Sequence, residues 1–268
     1  MLHLIPTPIG NLEDISMRSL RLLSSCQVIF CEDTRVTKKL INLLTIRYDL
    51  KTNIQKYISL HSHNEKYVLS EIDMSIFDDD VAYMSDAGMP CISDPGSYLI
   101  EFCRTNNIEY DVLPGANALT LAYASSGFCQ SRFLFYGFLP HKGDDRESEL
   151  EKAMFSGFVT ILYESPHRLL KLIEQICNID ENREIFLIKE ATKIYQKTYK
   201  NTAKEIFNEL QNQTIKGEWV VVLNSDTKSE GSVTLDDIAS LDIPKKQKAK
   251  LLSKITGKST KDCYNELI

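Results

Sequence analysis

Short apolar runs alternate with amphipathic stretches along the first half of the chain, and no other feature constrains the fold as tightly. Residues 2–5, 28–31, 58–61, 81–85 and 110–113 read as strands. Helical patterns follow at 17–23, 37–44 and 64–74, after Gly96, and over 117–126, with Asp14 or Ser16 available to cap the first. Repeats of this kind predict a mainly parallel sheet covered by helices on both faces. Such a sheet places its ligand at the carboxyl ends of its strands. "TPIGN", "EDTR", "SDAGMP" and "LPGANA" all fall at such ends. Four unusual loops together predict a site.

A second block begins near Phe133. "FLFYGFLP" reads as a strand leading into a polar loop over 141–146 and then a helix. "FVTILYES" is another strand, and Pro166 opens the helix after it, a favoured place for proline. "EIFLIKE", the segment over 195–199, a helix near 203–211 and "EWVVVL" complete the block. The chain therefore divides into an α/β domain over 1–116, a second α/β domain over 117–224 and a basic helical tail over 225–268. The polar stretch "NSDTKSEGS" reads as the linker to the tail.

At 268 residues, 43% hydrophobic and 25% charged, the composition is that of a soluble globular protein. No apolar run reaches the length of a membrane span, and "MLHLIPTPIG" lacks a basic leader, so a cytoplasmic protein with no membrane partner is expected. The seven cysteines form no Cys-x-x-Cys pair and read as reduced core thiols. A net charge of −6 argues against indiscriminate nucleic-acid binding. The exception is the stretch from Pro244 onward, where Lys245, Lys246, Lys248, Lys250, Lys254, Lys258 and Lys261 stand against only Asp262 and Glu266. That imbalance fits either a docked polyanion or a solvated surface helix.

Familiar chemistries are mostly excluded. "TPIGNLED" holds one glycine, so the Gly-x-Gly-x-x-Gly fingerprint is absent, as are the phosphate loop and the Gly-x-Ser-x-Gly elbow. His61 and His63 lack a clear third ligand, so no metal site is expected. What remains is a set of loops with carboxylates at Asp33, Asp86 and Asp94, and glycines at 10, 88, 96 and 115 that allow close backbone approach. Such loops suit an uncharged purine, a ribose and an amino-acid-like group better than a triphosphate; tight turns alone would also account for them.

"TPIGNLEDIS", "EDTR", "SDAGMPCISDPG", "LPGANAL", "YGFLP", "YESPHRL", "KEATK" and "GEWVVVL" occur in an order that closely resembles the ribosomal RNA small subunit methyltransferase I family. That family is a branch of the tetrapyrrole methylase superfamily. The resemblance runs from Leu2 to about Leu223, and the tail is similar to the family's C-terminal segment. It implies S-adenosylmethionine bound in a cleft between two α/β domains, and 2′-O-methylation of a cytidine in the decoding region of 16S ribosomal RNA. It also implies a homodimer acting on small-subunit RNA, within the assembled subunit or as naked RNA. The implied cofactor residues are Pro8, Asp86, Gly88, Met89, Ile92, Ser93, Asn117, Ala118 and Tyr163. Departures from the usual pattern are Met89 for Thr, Ala116-Asn117 for Pro-Ser, Lys189 for Arg and Ala191 for a larger apolar residue.

Within that reading the catalytic candidates are Glu32, Glu164 and Glu190, with Asp33 a further possible base and Lys189 able to steady a developing oxyanion. Arg18, Arg35, Lys38, Lys39, Lys142, Arg146, Arg168, Lys193, Lys245 and Lys246 are the expected RNA contacts. An inter-domain salt-bridge network is the competing reading of "EDTR" and "YESPHR". Two rivals stay open: a methylase of a tetrapyrrole or other small molecule, and a non-catalytic ribosome-assembly protein with a remnant cofactor pocket.

Overall fold

The computed structural model describes residues 1–128, 130–225, 238 and 240–267. Cys129 and residues 226–232 of the expected linker lie outside the described residues. The first sheet holds β1 (Leu2–Leu4), β2 (Val28–Cys31), β3 (Lys56–Ser59), β4 (Val81–Met84) and β5 (Tyr110–Val112). Their order is β3-β2-β4-β1-β5, and every pairing is parallel. Helices α1 (Met17–Ser25), α2 (Thr34–Tyr48), α3 (Glu65–Ser70) and α4 (Ser97–Thr105) cover it. Along β4 the side chains alternate between two cores, Ala82 and Met84 in one, Val81 and Tyr83 in the other. Both faces of this inner strand are therefore buried, which is why it reads as a continuous apolar run.

Two helix boundaries differ from the sequence pattern, each because of a cap. Asp33 accepts a hydrogen bond from the Arg35 N–H, so α2 begins at Thr34, a full turn before its apolar stripe. Asp73 accepts from the Ser75 N–H and opens a separate 3-10 turn, Met74–Asp78, so α3 ends at Ser70.

The second sheet holds β6 (Phe133–Phe138), β7 (Val159–Glu164), β8 (Glu184–Lys189), β9 (Lys197–Thr202) and β10 (Trp219–Leu223), ordered β6-β7-β10-β8-β9. Only β6 and β7 run parallel; the other three pairings are antiparallel. Its helices are α5 (Ala118–Ser126), α6 (Asp144–Met154), α7 (Pro166–Asp180) and α8 (Ala203–Leu210). α5 packs on β8 and β10, and so belongs to this sheet.

Both sheets lie in one compact unit, Met1–Ser225, and Asp226–Ile268 forms a second. Within the second unit α9 (Lys245–Thr256) packs against α10 (Thr260–Glu266), the turn between them passing through Gly257 in the left-handed region. The six described cysteines are free: Cys26, Cys31, Cys103 and Cys263 buried, Cys91 and Cys177 partly so. Among the described residues no helix is long and apolar enough to cross a membrane.

Candidate active site

Strands β1, β4 and β5 are neighbours, so the loops leaving their carboxyl ends converge. The first two are clasped together. Thr7 N–H donates to the Gly88 carbonyl at 2.9 Å, and Gly88 N–H donates back to the Thr7 carbonyl at 3.1 Å and to its Oγ1 at 3.0 Å. Ser85 Oγ also donates to the Gly88 carbonyl. Gly88 has φ +87°, and a Cβ there would stand 3.1 Å from Ile9 Cγ2. Glycine is thus required both by the backbone and by the neighbouring wall. Beyond it, Cys91 and Ser93 also take left-handed conformations, and Gly96 has φ +121°. A loop with this much strain persists only where its surroundings hold it, a pattern common at ligand sites.

Between these loops and the second sheet lies a cavity of 380 Å³. The first sheet contributes Ile9, Gly88, Met89, Ile92, Ser93 and Asp94. Asn117, which caps α5 by accepting from the Leu119 N–H, contributes with Ala118. The opposite wall is Phe138, Tyr163 and Glu164, followed by Ile188, Ala191, Glu218, Trp219 and Val220. Phe138 meets the Tyr163 ring edge-on at 5.5 Å. Burial pushes the Tyr163 phenol up to about 12, so it stays a neutral hydrogen-bonding group.

A carboxylate group gathers at the first-sheet side. Burial, reinforced by the Glu32 charge and opposed by a hydrogen bond with Ser85, raises Asp94 to about 6. Glu32 is raised by burial and by Asp86. Asp86 is raised by burial, while its hydrogen bond from the Asp33 N–H works the other way. Asp94 lines the cavity and has no ion pair among the described residues. Like charges crowded in a half-buried place favour a cationic ligand beside them.

Glu164 has a different position. Its Oε2 accepts from Arg146 Nη2 at 2.9 Å, its Oε1 faces Arg168 Nη2 at 2.7 Å, and Oε1 also accepts from the Ser165 N–H. The Glu164 and Arg146 side chains are each 1% exposed, and Arg168 is 18% exposed. Arg146 further donates to Gln175 and to the Pro140 carbonyl, tying the loop before α6 to α7. This corrects two expectations. Arg146 is an interior strut rather than an RNA contact, because α6 starts at Asp144 and turns it inward. Glu164 has both oxygens engaged, which removes it as a free base. "YESPHR" forms a salt-bridge network inside the second half, and the Asp33–Arg35 pair of "EDTR" is a local helix-start pair rather than a bridge to it.

Of the other catalytic candidates, Glu190 accepts from Lys193 and from the Glu218 N–H; burial opposes these contacts, but they hold its carboxyl below the usual range. Lys189 Nζ lies over the Trp219 ring at 5.8 Å. Glu32, Lys189 and Glu190 do not line the cavity, and neither do Pro8 and Asp86. Gly88, Met89, Ile92, Ser93, Asn117, Ala118 and Tyr163 do. Missed at the sequence level were Ile9, Phe138, Ile188, Glu218 and the first two residues of β10, Trp219 and Val220; the signal for Phe138 was its place at the strand end of "YGFLP", two residues before the proline.

The expected RNA contacts scatter. Arg18 pairs with Asp111, Arg35 with Asp33, and Lys193 with Glu190 and Glu218. Lys38 lies over Tyr57, and Lys39 and Lys142 are exposed. Lys245, over Tyr264, and exposed Lys246 belong to the second unit.

The profile of the Tetrapyrrole (Corrin/Porphyrin) Methylases matches residues 1–206. The ribosomal RNA small subunit methyltransferase I of Campylobacter fetus is 48% identical over 270 residues, covering 100% of both chains. That of Helicobacter pylori is 43% identical, covering 98% of this chain and 96% of its own. Among solved structures, cobalt precorrin-4 methyltransferase superposes with TM-score 0.57 at 15% identity, over 83% of this chain and 94% of its own. The uroporphyrin-III C-methyl transferase of Thermus thermophilus, complexed with S-adenyl homocysteine, gives 0.55 at 12%, over 82% and 96%. The chain belongs to the tetrapyrrole methylase family and, within it, to the ribosomal RNA small subunit methyltransferase I family.

Proposed function

We propose that this chain transfers the methyl group of S-adenosylmethionine to the 2′-hydroxyl of a cytidine in the decoding region of 16S ribosomal RNA, acting in the cytoplasm as a homodimer on the assembled small subunit. The observation that carries the cofactor assignment is the 380 Å³ cavity walled by the Gly88 turn, with the Asp94 carboxylate in its lining and the Glu32 and Asp86 charges acting on it. Both features fit the group: the apolar wall of Ile9, Ala118, Ile188 and Val220 suits an adenosine, and the anionic side suits a cation. When bound, the cofactor supplies a methyl carbon already activated by its sulfonium. The relatives' names support ribosomal RNA as the acceptor.

A ribose hydroxyl is a weak nucleophile at neutral pH, so the chain's task is chiefly alignment. Orientation supplies roughly 7–11 kcal/mol in favourable cases, against about 10²–10⁴-fold for a general base. Asp94 is the base or orienter we assign. It faces the cavity, has no ion pair among the described residues, and burial raises it to about 6, near the operating pH. Tyr163 and Phe138 form the opposite, aromatic wall.

The test is transfer of labelled methyl from S-adenosylmethionine to small subunits lacking the modification, with free ribosomal RNA, transfer RNA and tetrapyrrole precursors in parallel. Label in the cytidine ribose of the subunit is expected. Label only on a small molecule would overturn the RNA assignment, and binding of the cofactor without transfer to any acceptor would overturn catalysis.

A further inference from the structure

The connection between β8 and β9 ends in two large apolar side chains facing solvent: Ile194 is 95% exposed and Tyr195 78%. Burying such side chains is ordinarily favourable, so their exposure requires a cause. Looseness is not the cause. Glu190 and Thr192 both adopt left-handed backbone, an unusual conformation for a β-branched residue such as Thr192. Gln196 Oε1 accepts from the Thr192 N–H, and the Lys193 and Gln196 N–H groups close successive turns. Lys193 is tied to Glu190 and Glu218. The stem is also fastened to the first sheet's loops: Asn11 N–H donates to Thr192 Oγ1, and a Cβ on Gly10 would strike Lys193 Cγ at 2.4 Å.

This rigid stem forms part of the cavity wall through Ala191, with Glu218 beside it. Its two legs carry like charges, Lys189 and Lys197 being direct cross-strand partners; Glu209 answers Lys197 at 3.7 Å in a half-exposed pair that leaves the ammonium open to solvent. Opposed lysines repel in a free hairpin and are relieved by an anion between or beside them. Both ammonium groups lie over the stacked Tyr199–Trp219 pair. The hairpin thus offers an aromatic and an aliphatic face at its tip, cations at its base, and a stem in the cavity wall.

We propose that Tyr195, supported by Ile194, stacks on an unpaired base of the RNA next to the methylated nucleotide, while Lys189 and Lys197 contact its backbone. Proteins recognise single-stranded RNA by this combination of ring stacking and cations. The inference rests on RNA being the acceptor, and names the element that holds the strand at the cleft.

The test is fluorescence anisotropy with a short labelled oligocytidine RNA on full-length protein, with Tyr195→Ala, Tyr195→Phe and Ile194→Ser compared to the parent. Stacking predicts roughly 5–150-fold weaker binding for Tyr195→Ala, near-parent binding for Tyr195→Phe and an intermediate loss for Ile194→Ser. S-adenosylmethionine affinity, read by calorimetry, should be unchanged in all three. Equal RNA binding by Tyr195→Ala and the parent would overturn the proposal even if methyl transfer proceeds. A shift of Tyr195→Ala to a smaller sedimenting species would also overturn it, assigning the tip to a second copy of the chain. A parent that binds the RNA and loses it on Tyr195→Ala, yet methylates nothing, would sustain the stacking and sink the methylation.

Discussion

Replacing Glu164 by Gln should injure stability before it injures chemistry. The carboxylate sits between two guanidiniums, one fully buried, and satisfies both with its two oxygens. Glutamine keeps the size and one acceptor oxygen but removes the charge. Arg146 then remains buried with only neutral partners, Gln175 and the Pro140 carbonyl. Uncompensating a buried ion pair costs about 3–5 kcal/mol. For a unit of this size each kcal/mol lowers the melting temperature by about 2–4 °C, so a fall of about 6–20 °C is expected in calorimetry. Removing the other partner should cost less. In Arg146→Met, Glu164 keeps Arg168 and the Ser165 N–H, and the methionine fills part of the apolar volume beside Leu150. The double variant Arg146→Met with Glu164→Gln should therefore recover part of the single Glu164→Gln loss. A Glu164→Gln protein that melts with the parent yet transfers no methyl would refute this reasoning and return Glu164 to the chemistry.

Asp94→Asn should raise the melting temperature of the ligand-free protein at neutral pH. The folded carboxyl is raised to about 6 from an ordinary 3.8, so the folded state holds the proton longer and the parent loses stability as pH rises through that window, a loss the variant lacks. For the same reason, calorimetric affinity of the parent for S-adenosylmethionine should fall as pH drops below about 6. A flat pH profile would detach Asp94 from the cation. Gly88→Ala forces a side chain into a left-handed position against Ile9, costing about 1–2 kcal/mol and lowering the melting temperature by about 2–8 °C, with a parallel loss of cofactor affinity. A chain ending at Ser225 should melt like the parent and bind the cofactor equally, while its RNA affinity falls and becomes less salt-dependent. Equal loss of both affinities would deny the lysine-rich unit a docking role.

The first sheet was legible because its three inner strands, β1, β2 and β4, are short apolar runs ended by turn chemistry, while the edge strands β3 and β5 carry Lys56 and Asp111. The loops at 85–96 and 113–117 announced themselves through Gly, Pro and Asp at strand ends, and most cavity residues named from the sequence come from them. The second sheet was legible in its elements but not in its pairing, because an apolar run does not say which neighbour it will meet or in which direction. Arg146 shows the sharper failure. Read as loop charge, it belonged to the surface. Its spacing to Leu150, Ala153 and Met154, four, seven and eight residues on, places it on the buried stripe of α6, and that pattern was available. What no local pattern contained was its counter-charge, supplied from β7 eighteen residues later. Asp94 was hard to place for a related reason, since its raised carboxyl comes first from burial and then from the charge of Glu32, neither of which a local pattern contains.

The reciprocal clasp between Thr7 and Gly88 joins residues eighty-one positions apart by hydrogen bonds in both directions. It is an isolated antiparallel bridge set just beyond the parallel β1–β4 pairing, so the cavity floor is fastened directly to the sheet. A ligand arriving there meets amides already spoken for and a surface already shaped. No segment of the floor has to order itself on contact, and the entropy of loop closure is settled during folding. Recognition at that floor therefore operates by shape and charge rather than by conformational search, and in hydrogen exchange the amide protons of Thr7 and Gly88 should be protected together with those of the sheet.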